Sequence, residues 1–162
     1  MAKKTGRGNR FPKQIEQMLE SLILAVAWQE SCFRQFHEVK GKVVYLRSYN
    51  GTSVGIMQVN ERVWRGMYDL DQLRWDIHYN ARCGGDIIAR YINRYLLKQR
   101  DRIARFDDKT IAGVVYAMYN GGPAQFQNYL QRLTRGNLYK SDCLFNEKYQ
   151  WVVAGNWQMI QH

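Results

Sequence analysis

Seven apolar residues between positions 13 and 31 recur at spacings of three and four: Ile15, Met18, Leu19, Leu22, Ile23, Val26 and Ala27. That is the period of an amphipathic helix, and its apolar face must be covered by other parts of the chain. Pro12 stands where a helix can begin, because the first turn has no use for the missing N–H. The chain holds only two prolines in 162 residues, and helical periods return along most of it. Asp76 is placed to cap a longer helix with Ile77, Ala81, Gly84, Ile88, Tyr91, Ile92 and Tyr95 on one face. Gly84 and Gly85 inside it cost helix propensity and predict close packing. Residues 110–119 read as a further helix, with Ile111, Val114, Val115 and Met118 inward. Asn120-Gly121-Gly122-Pro123 stops it and starts the next, which turns Phe126, Tyr129, Leu130 and Leu133 inward. Asn60 predicts a cap for a short helix over 61–68, and the aromatic tail, 140–162, is expected to pack on the body.

The period changes once. Residues 38–50, with Gly41 followed by an alternating KVVYLRSYN, predict a small β-hairpin or irregular β segment. Gly51 to Gly55 supplies a turn, and Ile56-Met57-Gln58-Val59 a short buried stretch. The expected fold class is therefore mainly α (α+β), a helical domain with a small β element. With 46% hydrophobic and 14% aromatic residues, a disordered chain is excluded, and the length suits one domain. The longest uncharged apolar run, Leu22 to Trp28, is too short to cross a bilayer. The first thirteen residues carry five basic residues and no acid, but Gln14, Glu16, Gln17 and Glu20 follow where a secretory signal needs an apolar run. Residues 1–12 are expected to be a flexible basic lead-in and 13–162 the domain. Cys32, Cys83 and Cys143 show no CxxC spacing, and the three histidines are scattered, so no metal site is expected. Three buried reduced thiols, or one bridge and one free thiol, both fit.

Twenty-four Lys and Arg against fourteen Asp and Glu leave a net charge of +10. Such a chain is drawn to acidic polymers, among them cell walls and nucleic acids, although the same excess serves solubility. A basic nucleic-acid-binding domain is one reading, but no zinc-finger or RNA-recognition signature accompanies it. Glu30 stands out more. At about 100° per residue it falls within the apolar stripe, near Ile23 and Val26. A carboxyl facing a core or cleft has its pKa raised, which suits a general acid near neutral pH. A helix-end glutamate that curls into solvent or pairs with an arginine fits the same pattern. In Ser53-Val54-Gly55-Ile56-Met57-Gln58, Gly55 permits close backbone approach, Met57 offers an adaptable apolar surface, and Gln58 offers a donor and an acceptor. A buried strand would read alike. Tyr119 and Asn120 sit at a helix end from which polar tips can enter a cleft.

Together, Glu30-Ser31, Gly55-Ile56-Met57-Gln58 and Ala117-Met118-Tyr119-Asn120-Gly121-Gly122-Pro123 resemble the motifs of the soluble lytic transglycosylase catalytic domain, in order and at similar spacing. The resemblance spans about residues 14–130. It implies the goose-type lysozyme-like fold and a cleft that binds peptidoglycan glycan strands. It also implies cleavage of the β-1,4 bond between N-acetylmuramic acid and N-acetylglucosamine, with closure of a 1,6-anhydro ring. By the same resemblance Glu30 matches the sole catalytic acid, and Tyr119 the tyrosine whose hydroxyl supports it. Gln58 and Met57 match residues lining a sugar subsite, Asn120 the motif asparagine near the cleft floor, and Ser48 the serine ahead of the Gly-x-Met-Gln motif. No cofactor is expected. A monomer in the periplasm or cell envelope is, alone or within a larger parent protein or envelope machine. Ile56 replaces the usual Leu, and the KGKVVYLR run is atypical. Asn60 stands where goose-type lysozymes often carry Asp, leaving Glu38 and Glu61 as the nearest other carboxylates, both read as solvated. A hydrolytic lysozyme of the same fold, with water as nucleophile, is the alternative.

Overall fold

A computed structural model describes residues 11–160, so the lead-in, apart from Phe11 and Pro12, lies outside the described residues. The first helix, α1, runs Lys13–Ser31, with Pro12 at its N-cap and Cys32 in the left-handed conformation ending it. Its buried face includes Ile15, Met18, Leu22, Val26 and Ala27, as the spacing predicts. Strands β1 (Phe36–Val39) and β2 (Lys42–Tyr45) pair antiparallel, Val39 opposite Lys42. Lys40 and Gly41 both take positive φ, the backbone a two-residue hairpin loop requires. A second two-stranded sheet joins β3 (Ser53–Val54) to β4 (Val59–Asn60) through a tight turn at 55–58.

Residues 61–68 form turns rather than the expected helix. The Asn60 side chain does accept the N–H groups of Arg62 and Val63, but the segment breaks before a helical ladder grows. A short helix, α2 (Leu70–Trp75), follows with Asp69 as its cap. Helix α3 (Ile77–Tyr91) is capped by Asp76, as expected. Its buried face is Asn80, Cys83, Gly84, Ile87, Ile88 and Tyr91, while Ile77 is exposed. The expected stripe is thus rotated toward Asn80, because this polar residue, not Ile77 or Ala81, is turned inward to serve the 55–58 turn.

A π-helical turn, Ile92–Leu96, a 3-10 turn, Leu97–Gln99, and α4 (Arg100–Ile103) lead to α5 (Asp108–Gly121). Every residue of α5 from Ile111 to Met118 is buried, the mark of a helix covered on all sides. Gly122, at φ +85, ends it, and α6 (Gln125–Arg135) turns back against it. The tail forms α7 (Lys140–Ala154), which packs along α1 and α5, and a 3-10 turn, Trp157–Met159. Phe145 stacks on Tyr116 with ring centroids 4.2 Å apart. Arg132 and Asp142, a buried ion pair at 2.9 Å, tie α6 to α7. The expected mainly α class, a helical domain with a small β element, is therefore observed. All three cysteines are free thiols, but only Cys83 is buried; Cys32 is half-buried and Cys143 exposed. Of the two readings, the reduced one holds, but without burial of all three, because α7 turns Cys143 to its outer face.

Candidate active site

The 55–58 turn is held from four directions. From α1, the Ser31 hydroxyl donates to the Ile56 carbonyl at 2.7 Å. From α5, the Tyr119 hydroxyl donates to the Met57 carbonyl at 2.7 Å. Two buried amides take the N–H groups: Gln35 Oε1 accepts from Ile56 at 2.8 Å and Asn80 Oδ1 from Met57 at 2.9 Å. Asn80 also donates to Val54 and Leu73, and Gln35 to Leu73 and Arg74, so neither amide is left unpaired. Gly55, at φ +77, lies against both, and a Cβ there would collide with them. This clamp holds Gln58 at φ +46, with its side-chain amide donating to Gly55 O at 2.8 Å. Backbone in that region is costly for a residue with a Cβ and persists only when its surroundings over-determine it.

Over this turn opens a cleft of about 300 Å³. Glu30 from α1, Gln58 from the turn, and Tyr119 and Asn120 from the end of α5 all line it. Ser53, Asn60, Trp64 and Tyr91 complete much of the wall. Glu30 is the carboxylate among the described lining residues. Desolvation pushes its pKa from 4.5 up to about 7, and a hydrogen bond from Tyr116 pulls the other way. Burial and the nearby Glu30 charge hold the Tyr116 and Tyr119 phenols far above their ordinary pKa, so both stay protonated donors. The site therefore offers a carboxyl poised to give and take a proton near neutral pH, beside amide groups suited to hydroxyl and acetamido partners.

Glu30, Gln58, Tyr119 and Asn120 are thus brought together. Met57 and Ser48 are not. Met57 is 1% exposed, packs its side chain on Gly84 and is not among the residues that line the cleft. Ser48 closes the loop before β3: its hydroxyl donates to Asn50 Oδ1 and accepts from Thr52 and Ser53 N–H. Ser53, not Ser48, lines the cleft. The Tyr119 hydroxyl is spent on Met57 O, and Tyr116, one helical turn earlier, is the tyrosine that pulls the Glu30 pKa down against burial. Tyr116 sits inside an eight-residue apolar run and reads as core, although its i, i+3 relation to Tyr119 was a usable signal. Glu38 is exposed on β1. Glu61 is not solvated as expected, because Arg74 at 2.6 Å and Arg47 at 3.4 Å hold it in a half-buried ion-pair cluster away from the cleft. Among the described residues no group of three or more His, Cys, Asp or Glu is placed to hold a metal ion.

A family model for the transglycosylase SLT domain matches residues 9–140. No curated protein and no solved structure matches.

Proposed function

The chain belongs to the transglycosylase SLT domain family, whose activity is directed at peptidoglycan, and on that premise we propose that it cleaves the β-1,4 N-acetylmuramic acid–N-acetylglucosamine bond without water, using Glu30 alone as acid and base. The observation that carries this reading is the pairing of a carboxyl whose pKa lies at about 7 with a cleft in which no other described lining residue is acidic. Ordinary glycosidases need a second carboxyl as nucleophile or to activate water. Here the substrate supplies the nucleophile.

Protonated Glu30 gives its proton to the glycosidic oxygen as the C1–O bond breaks, and the N-acetylglucosamine end leaves as an alcohol. The neighbouring 2-acetamido group shields the cationic anomeric carbon. Glu30, now a carboxylate, takes the proton from the C6 hydroxyl of the muramic acid as that oxygen bonds to C1. The 1,6-anhydro ring closes, and Glu30 returns to its starting form. Holding the nucleophile on the same sugar as the reacting carbon gives it a high effective concentration. Gln58 and Asn120 bind the sugars through their amides. Peptidoglycan lies outside the cytoplasmic membrane, so the protein works in the cell envelope; no described helix is long and apolar enough to cross a membrane.

Digestion of purified sacculi in ¹⁸O-water tests the reaction. Anhydromuropeptides without label are expected; labelled reducing ends as the dominant product would establish a hydrolase instead. Glu30→Gln keeps the shape and removes the titrating proton, and is expected to lose at least ~100-fold in rate while staying folded. Near-normal turnover by this variant would remove Glu30 from the chemistry.

A further inference from the structure

Residues 94–105 carry five cations, Arg94, Lys98, Arg100, Arg102 and Arg105, against one carboxylate, Asp101. All five are exposed, and among the described residues the ion pairs go to Arg47, Arg74, Arg90 and Arg132 instead. Arg102 gathers part of this charge at one place. Its guanidinium donates to Gln99 Oε1 at 3.2 Å and to Gln127 Oε1 at 3.0 Å, so it ties α4 to α6 through neutral partners and keeps its charge free. Two grooves share Arg102 and Thr134 in their walls; one adds Arg105, Phe106 and Leu133, the other Arg135. The helical period of α6 predicts Leu133 to face inward, yet it is 38% exposed. Asp107, the carboxylate of the first groove, caps α5 by accepting from the Thr110 N–H at 2.8 Å.

We propose that this face, with Arg102, Arg105 and Arg135 around Leu133, docks on the surface of an anionic phospholipid bilayer. The two halves of the patch match the two halves of a lipid interface. Guanidinium groups stay charged at any working pH and hold phosphate oxygens in pairs, which suits lipid headgroups. Each such cation strengthens binding to an anionic membrane surface by a factor of about five. Cations alone would serve any polyanion. Leu133, beside the half-buried Phe106 ring, adds an apolar side chain that the acyl boundary takes up and a soluble polyanion has no means to cover. None of these residues lines the catalytic cleft, so docking here leaves the cleft open to glycan. The inference goes beyond the reaction assigned above and draws nothing from the role of Glu30.

The test is co-sedimentation of the full-length protein with vesicles of equal parts phosphatidylglycerol and phosphatidylcholine, and with phosphatidylcholine alone, at about 0.15 M salt. Binding to the mixed vesicles and none to the neutral ones is expected. Replacing Arg102, Arg105 and Arg135 together by Gln should weaken binding ~100-fold, at about fivefold per cation. Replacing Lys40, Lys42 and Arg65 by Gln removes the same charge from the hairpin and the 61–68 turns, and should leave binding within ~3-fold of wild type if the patch, rather than net charge, makes the contact. Leu133→Ser should weaken vesicle binding by ~5-fold or more and leave binding of soluble polyphosphate unchanged. Arg105→Gln with Arg135→Gln keeps the Arg102 bridges to Gln99 and Gln127, and serves should the triple variant not fold. Equal losses from the two triple variants, no binding to the mixed vesicles, or polyphosphate binding that follows the three arginines without vesicle binding would each overturn the proposal. The measurement needs no glycan, so a failure of the assigned reaction would show in the muropeptide products while leaving vesicle binding intact.

Discussion

Glu30 is placed where its folded and unfolded states bind protons differently. In the unfolded chain the carboxyl titrates near 4.5; in the folded protein burial moves it to about 7. Between those values the folded state keeps a proton that the unfolded chain has lost, so stability falls as pH rises through that window. Glu30→Gln should therefore melt higher than the wild type at pH 8, with the gap closing as pH drops below 4.5. Melting curves of both proteins at pH 4 and 8 check this, and a gap that does not change with pH would mean that Glu30 is not desolvated. The two tyrosines separate in the same way. Tyr119→Phe leaves the Met57 carbonyl without its donor, costing about 1–3 kcal/mol of stability and loosening the turn that carries Gln58. Tyr116→Phe removes the hydroxyl that pulls the Glu30 pKa down and should raise the pH of half-maximal activity with a smaller change in melting. Denaturant unfolding and pH profiles of the pair decide it; equal profiles for both would return Tyr116 to the core.

At the scale of elements, the contact between α3 and the 55–58 turn is set by the absence of a side chain. A Cβ on Gly84 would stand 2.5 Å from Met57 Cγ, whereas one on Gly85 would meet nothing closer than Ile23 Cδ1 at 3.7 Å. The two adjacent glycines therefore predict opposite outcomes. Gly84→Ala forces Met57 or the helix to move, an overpacking cost of about 1–3 kcal/mol, and displaces Gln58 with the turn. Gly85→Ala meets only ordinary contact and gains helix propensity of up to about 1 kcal/mol. Urea unfolding of both variants and a KM for each would show it. Comparable stabilities would mean that α3 does not press on the turn. The same logic explains why Asn80, a polar residue, is wholly buried on α3: it makes three hydrogen bonds, one each to the backbone of β3, the 55–58 turn and α2.

In the whole molecule, α1 and α5, which carry cleft-lining residues, depend on α7 for cover. Phe145, Tyr149 and Val152 are buried there, and Trp28 of α1 packs on Trp151. Cutting the chain after Tyr139 exposes Tyr116 and Trp28 and leaves Arg132, a buried cation, without Asp142. Removing one partner of such a pair alone costs about 3–5 kcal/mol, a large part of the stability of a domain this size. The shortened chain, although it keeps nearly all of the family-matched stretch, is expected to lose near-ultraviolet circular dichroism and to bind a hydrophobic dye. A cooperative melt from that fragment would show that α7 is an accessory to the fold rather than part of its core.

The sequence by itself determined what depends on near neighbours. The 3.6-residue period located α1, α3, α5 and α6, Asp76 announced its helix, and the glycines after Asn120 announced the end of α5, because capping and periodicity act within a few residues of one another. The three motifs pointed to Glu30, Gln58, Tyr119 and Asn120, all of which line the cleft. Only the tertiary structure decided where each side chain is spent. Met57 faces Gly84, Ser48 closes a loop, Glu61 is held by two arginines, and the Tyr119 hydroxyl goes to the Met57 carbonyl. Except for Ser48, whose partners lie within five residues, those outcomes rest on partners elsewhere in the sequence, and the 55–58 turn shows why: Ser31 and Gln35, Asn80, and Tyr119, from three separate stretches, hold its carbonyls and N–H groups. A local period says which face of a helix is buried. It does not say which hydroxyl finds which carbonyl, because that hydrogen bond forms only when helix and turn have docked.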